Sequence, residues 1–535
     1  MTRPVFTVDD LLTRAASGRP DHTALVDGDR SLSFAALDRQ VGLLAARLIG
    51  DGLRRGERVA IWLERSMESV VAMLAVARAG GVFVNVSPVL RAPQVSHILT
   101  DSGAARLIGD PVVLGGASLP SMPLAYVTGE DPVELPFAAK VEPLGSLPLR
   151  EEPGRAMLES PLAIEGDPAT ILYTSGSTGM PKGIMFSHRN LVAGAQIVST
   201  YLGNGPDDRV LAVLPFSFDY GLSQVTTMLR VAGTVVIQRS LMPGDILETL
   251  RKERVTGLAM VPPLWPVVLQ NRRSMQDQPL PDLRYVTNSG GAVARAHLEE
   301  MRNLLPDTKI FLMYGLTEAF RSTFLPPDEV HRGPSCIGRA IPGTDIFVVD
   351  EEGREVAPGE VGELVHRGPT VAMGYWGDPE RTARCYKSNP FAPEELSHID
   401  RVVYSGDLVR RGEDGFLYFV GRRDAQIKTH GYRVSPEEAE ALLLAVPGVR
   451  EAVVFPEPDE NIGQRIVAVV TLWDGASLSP DVVRATVRRQ APHYLVPSRV
   501  EIADSLPRGA TGKLDREGIA RSYGARGDEP SGRIA

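Results

Sequence analysis

Tyr173-Thr-Ser-Gly-Ser-Thr-Gly-Met-Pro-Lys-Gly183 is the stretch that decides how this chain is read. It holds three glycines, four aliphatic hydroxyls and one lysine, a composition that cannot pack a core and that suits a polyphosphate. Glycines let backbone N–H groups approach phosphate oxygens, hydroxyls donate further bonds and Lys182 supplies positive charge. The apolar lead-in Ala169-Thr-Ile-Leu-Tyr173 predicts a strand ending at the loop, where α/β folds bind ligands. The spacing excludes a Walker A loop, because the second glycine required after Gly176 falls on Pro181. The dinucleotide fingerprint G-x-G-x-x-G is absent here as well.

Working outward, 535 residues exceed one hydrophobic core and imply two or more domains. With 43% hydrophobic and 23% charged residues, the composition is that of a soluble globular protein. A net charge of −9 argues against general nucleic-acid binding. Two cysteines, Cys336 and Cys385, make neither a disulfide framework nor a C-x-x-C metal site. The N-terminus lacks the apolar core of a signal peptide. The longest apolar stretch, Val70 to Ala77, is too short to span a membrane, so a cytoplasmic setting without membrane insertion is expected.

Ser33 precedes a helical pattern with Phe34, Leu37, Val41, Leu44 and Leu48 on one face. Helix and strand patterns alternate to about residue 350, which predicts α/β layers with largely parallel sheets. Residues 345–375 change character, and turn residues between short strands predict an antiparallel or barrel-like portion. After the polar break Gly421-Arg-Arg-Asp424 comes a segment sized for a small separate domain. Its first helix is marked by Ser435 as N-cap, Pro436 at the first helical position and Glu438 completing a capping box. The expected layout is a domain over 1–421, a smaller one over 425–522 and a frayed tail over 523–535.

Further clusters carry chemistry. Tyr314-Gly-Leu-Thr-Glu318 follows a strand-like run; alone it reads as a turn with an acid, or else its ring suits a nucleobase and its hydroxyl and carboxylate suit Mg²⁺ and phosphates. Tyr404-Ser-Gly-Asp-Leu408 offers Asp407 at a strand end, suited either to ribose hydroxyls or to a tight turn. Arg508-Gly-Ala-Thr-Gly-Lys-Leu-Asp-Arg516 puts Lys513 in a glycine-bearing loop, where it either reaches a cleft or stays solvated.

These runs, in this order, resemble the adenylate-forming superfamily of acyl- and aryl-CoA synthetases, nonribosomal peptide synthetase adenylation domains, carrier-protein ligases and luciferase. The likeness runs from about residue 7 to about 520. It implies a large N-terminal domain of layered α/β sheets with the barrel-like β portion, and a small mobile α+β C-terminal domain. It implies that Thr174, Ser175, Gly176, Ser177, Thr178, Gly179 and Lys182 grip phosphates of ATP, and that Gly290, Gly291 and Ala292 lie beside adenine with Tyr314 stacked on it. Gly315 sits in the same loop, and Thr317 and Glu318 resemble the phosphate and Mg²⁺ ligands. Asp407 and Arg422 resemble the ribose pair, Asp424 the hinge, Gly431 the lining of the thiol tunnel and Lys513 the adenylation lysine. The implied chemistry joins an acid to AMP and then passes the acyl group to a pantetheine thiol, on coenzyme A or a separate acyl or peptidyl carrier protein.

The run Val213-Leu-Pro-Phe-Ser-Phe-Asp-Tyr-Gly221 bears on which acid. Its Phe218-Asp219 resembles the F-D of amino-acid-activating domains. An aspartate among Phe216, Phe218 and Tyr220 is costly to bury unpaired, and a substrate ammonium would resolve that cost. This favours an amino acid over the acids of a plain acyl- or aryl-CoA synthetase. Tyr220, Ser223, Asn288 and Met313 are further pocket candidates by matching. Arg321 either pairs with a substrate carboxylate or braces Glu318 or Asp219, and bracing is the preferred reading. Arg484, Arg488 and Arg489 share a helix face that suits either an acidic carrier protein or plain solvent.

Overall fold

The computed structural model describes residues 4–129, 133–146, 162–174, 180–293, 295–396, 399–423, 427–434, 436–507, 514 and 516–524. The chain divides into two compact units, one of residues 1–88, 92–174 and 182–423 and the other of 424–535 together with 89–91 and 175–181.

In the large unit, Ser33 accepts the Ala36 N–H at 3.2 Å and starts the helix Phe34–Gly50. Phe34, Leu37, Val41, Leu44 and Leu48 are all buried, as their spacing requires. The apolar run Val70–Ala77 lies in the helix Met67–Arg78 and is buried on every side, which is why it shows no polar face.

Two sheets organise this unit. The first has eight strands in the order Gly374–Tyr375, Lys182–Ser187, Pro168–Thr174, Val82–Asn85, Arg58–Trp62, Arg106–Gly109, Leu124–Val127 and Val141–Pro143. The second contains a parallel run of Lys309–Tyr314, Tyr285–Asn288, Gly257–Met260, Arg209–Ala212, Thr234–Ile237 and Thr23–Asp27. Gly257–Met260 and Tyr285–Asn288 are buried at every position, as parallel strands covered on both faces must be.

Beyond Lys309–Tyr314 the second sheet turns antiparallel, through Thr323–Leu325, Cys336–Ala340, Leu417–Arg422, Arg401–Arg411, Val361–Arg367 and Asp345–Val349. The barrel-like expectation is corrected here. The strands extend an open sheet that stops at Asp345–Val349, and no closed barrel forms among the described residues, because closure needs the two edge strands to pair.

The small unit is α+β. Ile427–Thr429, Tyr432–Val434, Val449–Asp459, Gly463–Leu472 and Arg499–Ile502 form its sheet, with helices Pro436–Leu444, Pro480–Gln490 and Arg516–Gly524. Leu443, Val454, Ala468, Val470 and Val487 fill its core. Pro436 is the first helical residue as expected, whereas the proposed cap Ser435 lies outside the described residues. Tyr523, at the start of the expected tail, belongs to the last helix, and residues 525–535 lie outside the described residues. His430 and Gly431, both at positive φ (54° and 80°), make the two-residue turn between the first two strands.

Candidate active site

Ligands of open α/β sheets bind beyond the carboxyl ends of parallel strands. In the second sheet those ends carry most of the singled-out motifs. Gly290, Gly291 and Ala292 follow Tyr285–Asn288, and Gly315, Thr317 and Glu318 follow the adjacent Lys309–Tyr314. Gly290 has φ 85°, which a side chain rarely tolerates. Asn288, a pocket candidate, accepts from Trp265 Nε1 at 3.1 Å and donates to the Gly291 carbonyl at 2.9 Å, so it shapes the glycine loop.

Glu318 is half-buried on a short 3₁₀ turn, and its Oε1 accepts from the Tyr375 hydroxyl at 2.6 Å. Tyr375 sits on the edge strand of the first sheet, paired with Ile184. The Tyr375 phenol is pushed up by burial first and by the Glu318 charge second, so it remains a donor. Tyr314 donates its hydroxyl to Asp407 Oδ2, and Asp407 is fully enclosed. The structure thus joins the expected base-stacking and ribose-binding residues to each other. Asp407 faces Arg422 in register across the strand pair.

Asp219 begins the helix Asp219–Val231, and its Oδ1 accepts from the Tyr220 N–H at 2.7 Å. Its Oδ2 lies 3.5 Å from Arg321 Nη1. The aspartate therefore has a positive neighbour within the chain. A buried guanidinium braces it, and bracing is directed at Asp219, while Glu318 is held by Tyr375. The Arg321 guanidinium also covers the Tyr220 ring, 4.5 Å from its centroid. Tyr220 shares its hydroxyl hydrogen bond with Thr287 at 2.5 Å. Met313 sulfur accepts from Tyr201 at 2.9 Å; the Tyr201 phenol is pushed up to about 12 by burial, with Arg321 acting against that rise. Ser223, one helical turn past Asp219, is buried.

In the first sheet Thr174 and Lys182 pair directly at the mouth of a hairpin. Ser175, Gly176, Ser177, Thr178, Gly179, Asp424 and Lys513 lie outside the described residues, as does the side chain of Arg422. The residues that are described fit a magnesium nucleotide by their chemistry: Glu318 and Thr317 give hard oxygen donors, and Lys182 gives positive charge.

A family model described as AMP-binding enzyme matches residues 12–376, and one described as AMP-binding enzyme C-terminal domain matches 438–513. The chain belongs to the AMP-binding enzyme family. This AMP-binding enzyme is 30% identical over 95% of its length to delta-poly-L-ornithine synthetase of Acinetobacter baumannii (strain AB307-0294), covering 36% of that protein. It is 30% identical over 96% of its length to bacitracin synthase 3 of Bacillus licheniformis, of which it covers 8%. The amide bond synthetase McbA from Marinactinospora thermotolerans superposes with a TM-score of 0.82 at 26% identity, over 96% of this chain and 99% of that one. The AMP-binding enzyme thus spans a minor part of the curated relatives named here.

Sequence reasoning missed Tyr375, Thr287 and Tyr201. Each acts through a partner far along the chain, 57 residues away for Tyr375 with Glu318 and 112 for Tyr201 with Met313, so no local spacing marks them. The Gly374-Tyr375-Trp376 run was the nearest available signal.

Proposed function

We propose that this AMP-binding enzyme uses ATP to activate the carboxyl group of a small amino acid and passes the acyl group to the phosphopantetheine thiol of a separate carrier protein. The observation that carries the amino-acid reading is Asp219, a half-buried carboxylate at a helix start that accepts from the Tyr220 N–H, faces Arg321 at 3.5 Å and carries the negative charge that suits an ammonium. The name of one relative, a poly-L-ornithine synthetase, supports the same substrate class.

The substrate carboxylate oxygen attacks the α-phosphorus of ATP, the bond to pyrophosphate breaks, and acyl-AMP forms. No covalent enzyme intermediate is needed, so positioning and charge stabilisation supply the rate. Lys182 and the hydroxyls of residues 174–178 hold phosphates. Mg²⁺, when bound, neutralises phosphate oxygens, and Thr317 and Glu318 would hold it. Lys513 bridges the carboxylate and α-phosphate while charge builds. A turn about Asp424 then withdraws Lys513 and admits the thiol past Gly431. The thiolate attacks the acyl carbon and expels AMP, leaving a thioester.

ATP–pyrophosphate exchange across amino, fatty and aromatic acids tests this. Exchange with amino acids that disappears in Lys513→Ala is the expected result. Exchange with non-amino acids alone overturns the role of Asp219. That second reading, an acyl- or aryl-CoA synthetase, is favoured by the Arg321 contact, which gives Asp219 a positive partner without any substrate ammonium.

A further inference from the structure

Between Thr174 and Lys182 the sequence offers two glycines, three hydroxyls, a methionine and a proline, and so little apolar side chain to hold one position. The structure fixes the strands on either side instead, Pro168–Thr174 and Lys182–Ser187. Thr174 and Lys182 are the last pair of that hairpin, and one step inward Tyr173 stands opposite Gly183. The edge strand Gly374–Tyr375 lies on the far side of Lys182–Ser187, and the Trp376 N–H that follows it donates to the Gly183 carbonyl at 2.8 Å. Only a glycine admits both neighbours here. A Cβ at Gly183 would stand 2.6 Å from Ile171 Cγ2, 3.1 Å from Tyr173 Cζ and 3.2 Å from Trp376 Cβ.

Tyr173 and Trp376 converge on one residue. Tyr173 donates its hydroxyl to Asp101 Oδ2 at 2.6 Å, and Trp376 Nε1 donates to the Asp101 carbonyl at 2.9 Å. Asp101 lies in the last turn of the helix Ala92–Ser102, so this helix end ties together the chain on both sides of Lys182–Ser187. The helix end is itself held by Arg58. Its Nε donates to the Ser102 carbonyl at 2.6 Å and its Nη2 to the Gly103 carbonyl at 3.0 Å, and its guanidinium carbon stands 5.1 Å from the Trp376 ring centroid. Burial first and the Asp101 hydrogen bond second raise the Tyr173 phenol, so it keeps its proton and donates. Asp101 is exposed and its bond to Tyr173 spans 72 residues of sequence. This clamp stands at the mouth of the hairpin, one step from Thr174 and Lys182, rather than deep in the sheet.

We propose that Asp101 and Tyr173 are positioning residues for the phosphates of ATP, because the bond between them fixes the hairpin mouth, and with it Thr174 and Lys182, before the nucleotide arrives. This rests on the reading of Thr174 and Lys182 as phosphate-holding residues. Charges and donors fixed in advance need no rearrangement when ATP binds or when charge shifts among its phosphates. Neither Asp101 nor Tyr173 needs to touch the nucleotide. Tyr173 acts through the main chain of Thr174, and Asp101 acts through Tyr173.

Calorimetric titration of the full chain with Mg-ATP, and separately with AMP, tests this without the acid substrate. Tyr173→Phe and Asp101→Ala are each expected to raise Kd for Mg-ATP about tenfold, the low end of what losing an orienting partner costs, while Kd for AMP changes little. The double variant should be no weaker than either single one, because both remove the same bond. Asp101→Asn keeps an oxygen acceptor and should recover most of the loss. If Tyr173→Phe fails to fold, Asp101→Ala decides, since that side chain is exposed. Unchanged Mg-ATP affinity in Asp101→Ala overturns the proposal, and so does an equal weakening for ATP and AMP, which marks general damage. Lys182→Ala separates the two levels. If it weakens Mg-ATP binding while Asp101→Ala does not, only the positioning role falls. If neither weakens it, or if the wild type binds no Mg-ATP, the phosphate-holding reading falls as well.

Discussion

Glu318 is fixed by two tyrosines from separate parts of the chain. Tyr375 donates to its carboxylate at 2.6 Å, and Tyr386 donates to its main-chain carbonyl at 3.4 Å. Burial raises both phenols, so neither ionises near neutrality and both remain donors. A carboxylate aimed in this way needs no reorganisation to meet a divalent cation. Tyr375 is therefore a positioning residue. Tyr375→Phe removes a hydrogen bond to a charged group, an effect of about 1.5–3 kcal/mol, or about ten- to a hundredfold in kcat/KM for Mg-ATP. A Mg²⁺ titration of the exchange reaction checks it, with a higher half-saturating Mg²⁺ concentration expected and a thermal melt close to wild type. An unchanged Mg²⁺ dependence would remove the role.

At the scale of elements, the helix Asp219–Val231 shows how a small residue aims a functional one. Its start folds back on Pro215, with Phe218 N–H donating to the Pro215 carbonyl at 3.2 Å. Gly221 lies so close that a Cβ there would stand 2.0 Å from that carbonyl oxygen. Backbone cannot yield as a flexible side chain does, so Gly221→Ala must shift the helix start and with it Asp219 and Tyr220. The cost is about 1–3 kcal/mol, as for overpacking elsewhere. Thermal unfolding should show that loss, and the exchange assay should show a raised KM for the acid with less change in KM for ATP. Equal effects on both substrates would mean that the helix start does not set acid binding. A strained turn at Phe320 works on the same principle, with Gly194 giving the room that holds the ring.

For the whole molecule, two enclosed histidines contribute to the response to acid. His188 accepts the Val8 N–H through Nδ1 at 3.2 Å, and His366 bonds Ser322 at 2.9 Å and Thr370 at 3.2 Å. Burial lowers the first to about 4 and the second to about 3 from an ordinary 6.5. Unfolding frees both to bind protons once the pH drops below about 6.5, whereas the folded chain stays neutral at these sites down to about 4 and 3. Their effect on stability is absent above pH 6.5 and grows as a loss when the pH falls through that window, by about 1.4 kcal/mol per pH unit for each histidine. Denaturant unfolding between pH 7 and 4 measures the slope. His366→Gln should reduce it by the share of one proton, and an identical slope would show that His366 does not titrate on unfolding.

The sequence by itself determined which segments are helices and strands and which loops carry chemistry. Hydrophobic period and capping are local, so Phe34–Gly50 and Lys309–Tyr314 fall where the pattern puts them. The ordered glycine and hydroxyl motifs were enough to identify the family, because their chemistry lies in runs of contiguous residues. Only the tertiary structure decided that the β-rich portion after residue 320 extends an open sheet, and that Thr23–Asp27 pairs with Thr234–Ile237. The same holds for Tyr375 with Glu318 and for Arg321 with Asp219, 102 residues apart. Local pattern says which face of an element is buried. It does not say against what, since strand partners and buried polar pairs are chosen by the packing of whole sheets and by the cost of leaving a charge without a neighbour.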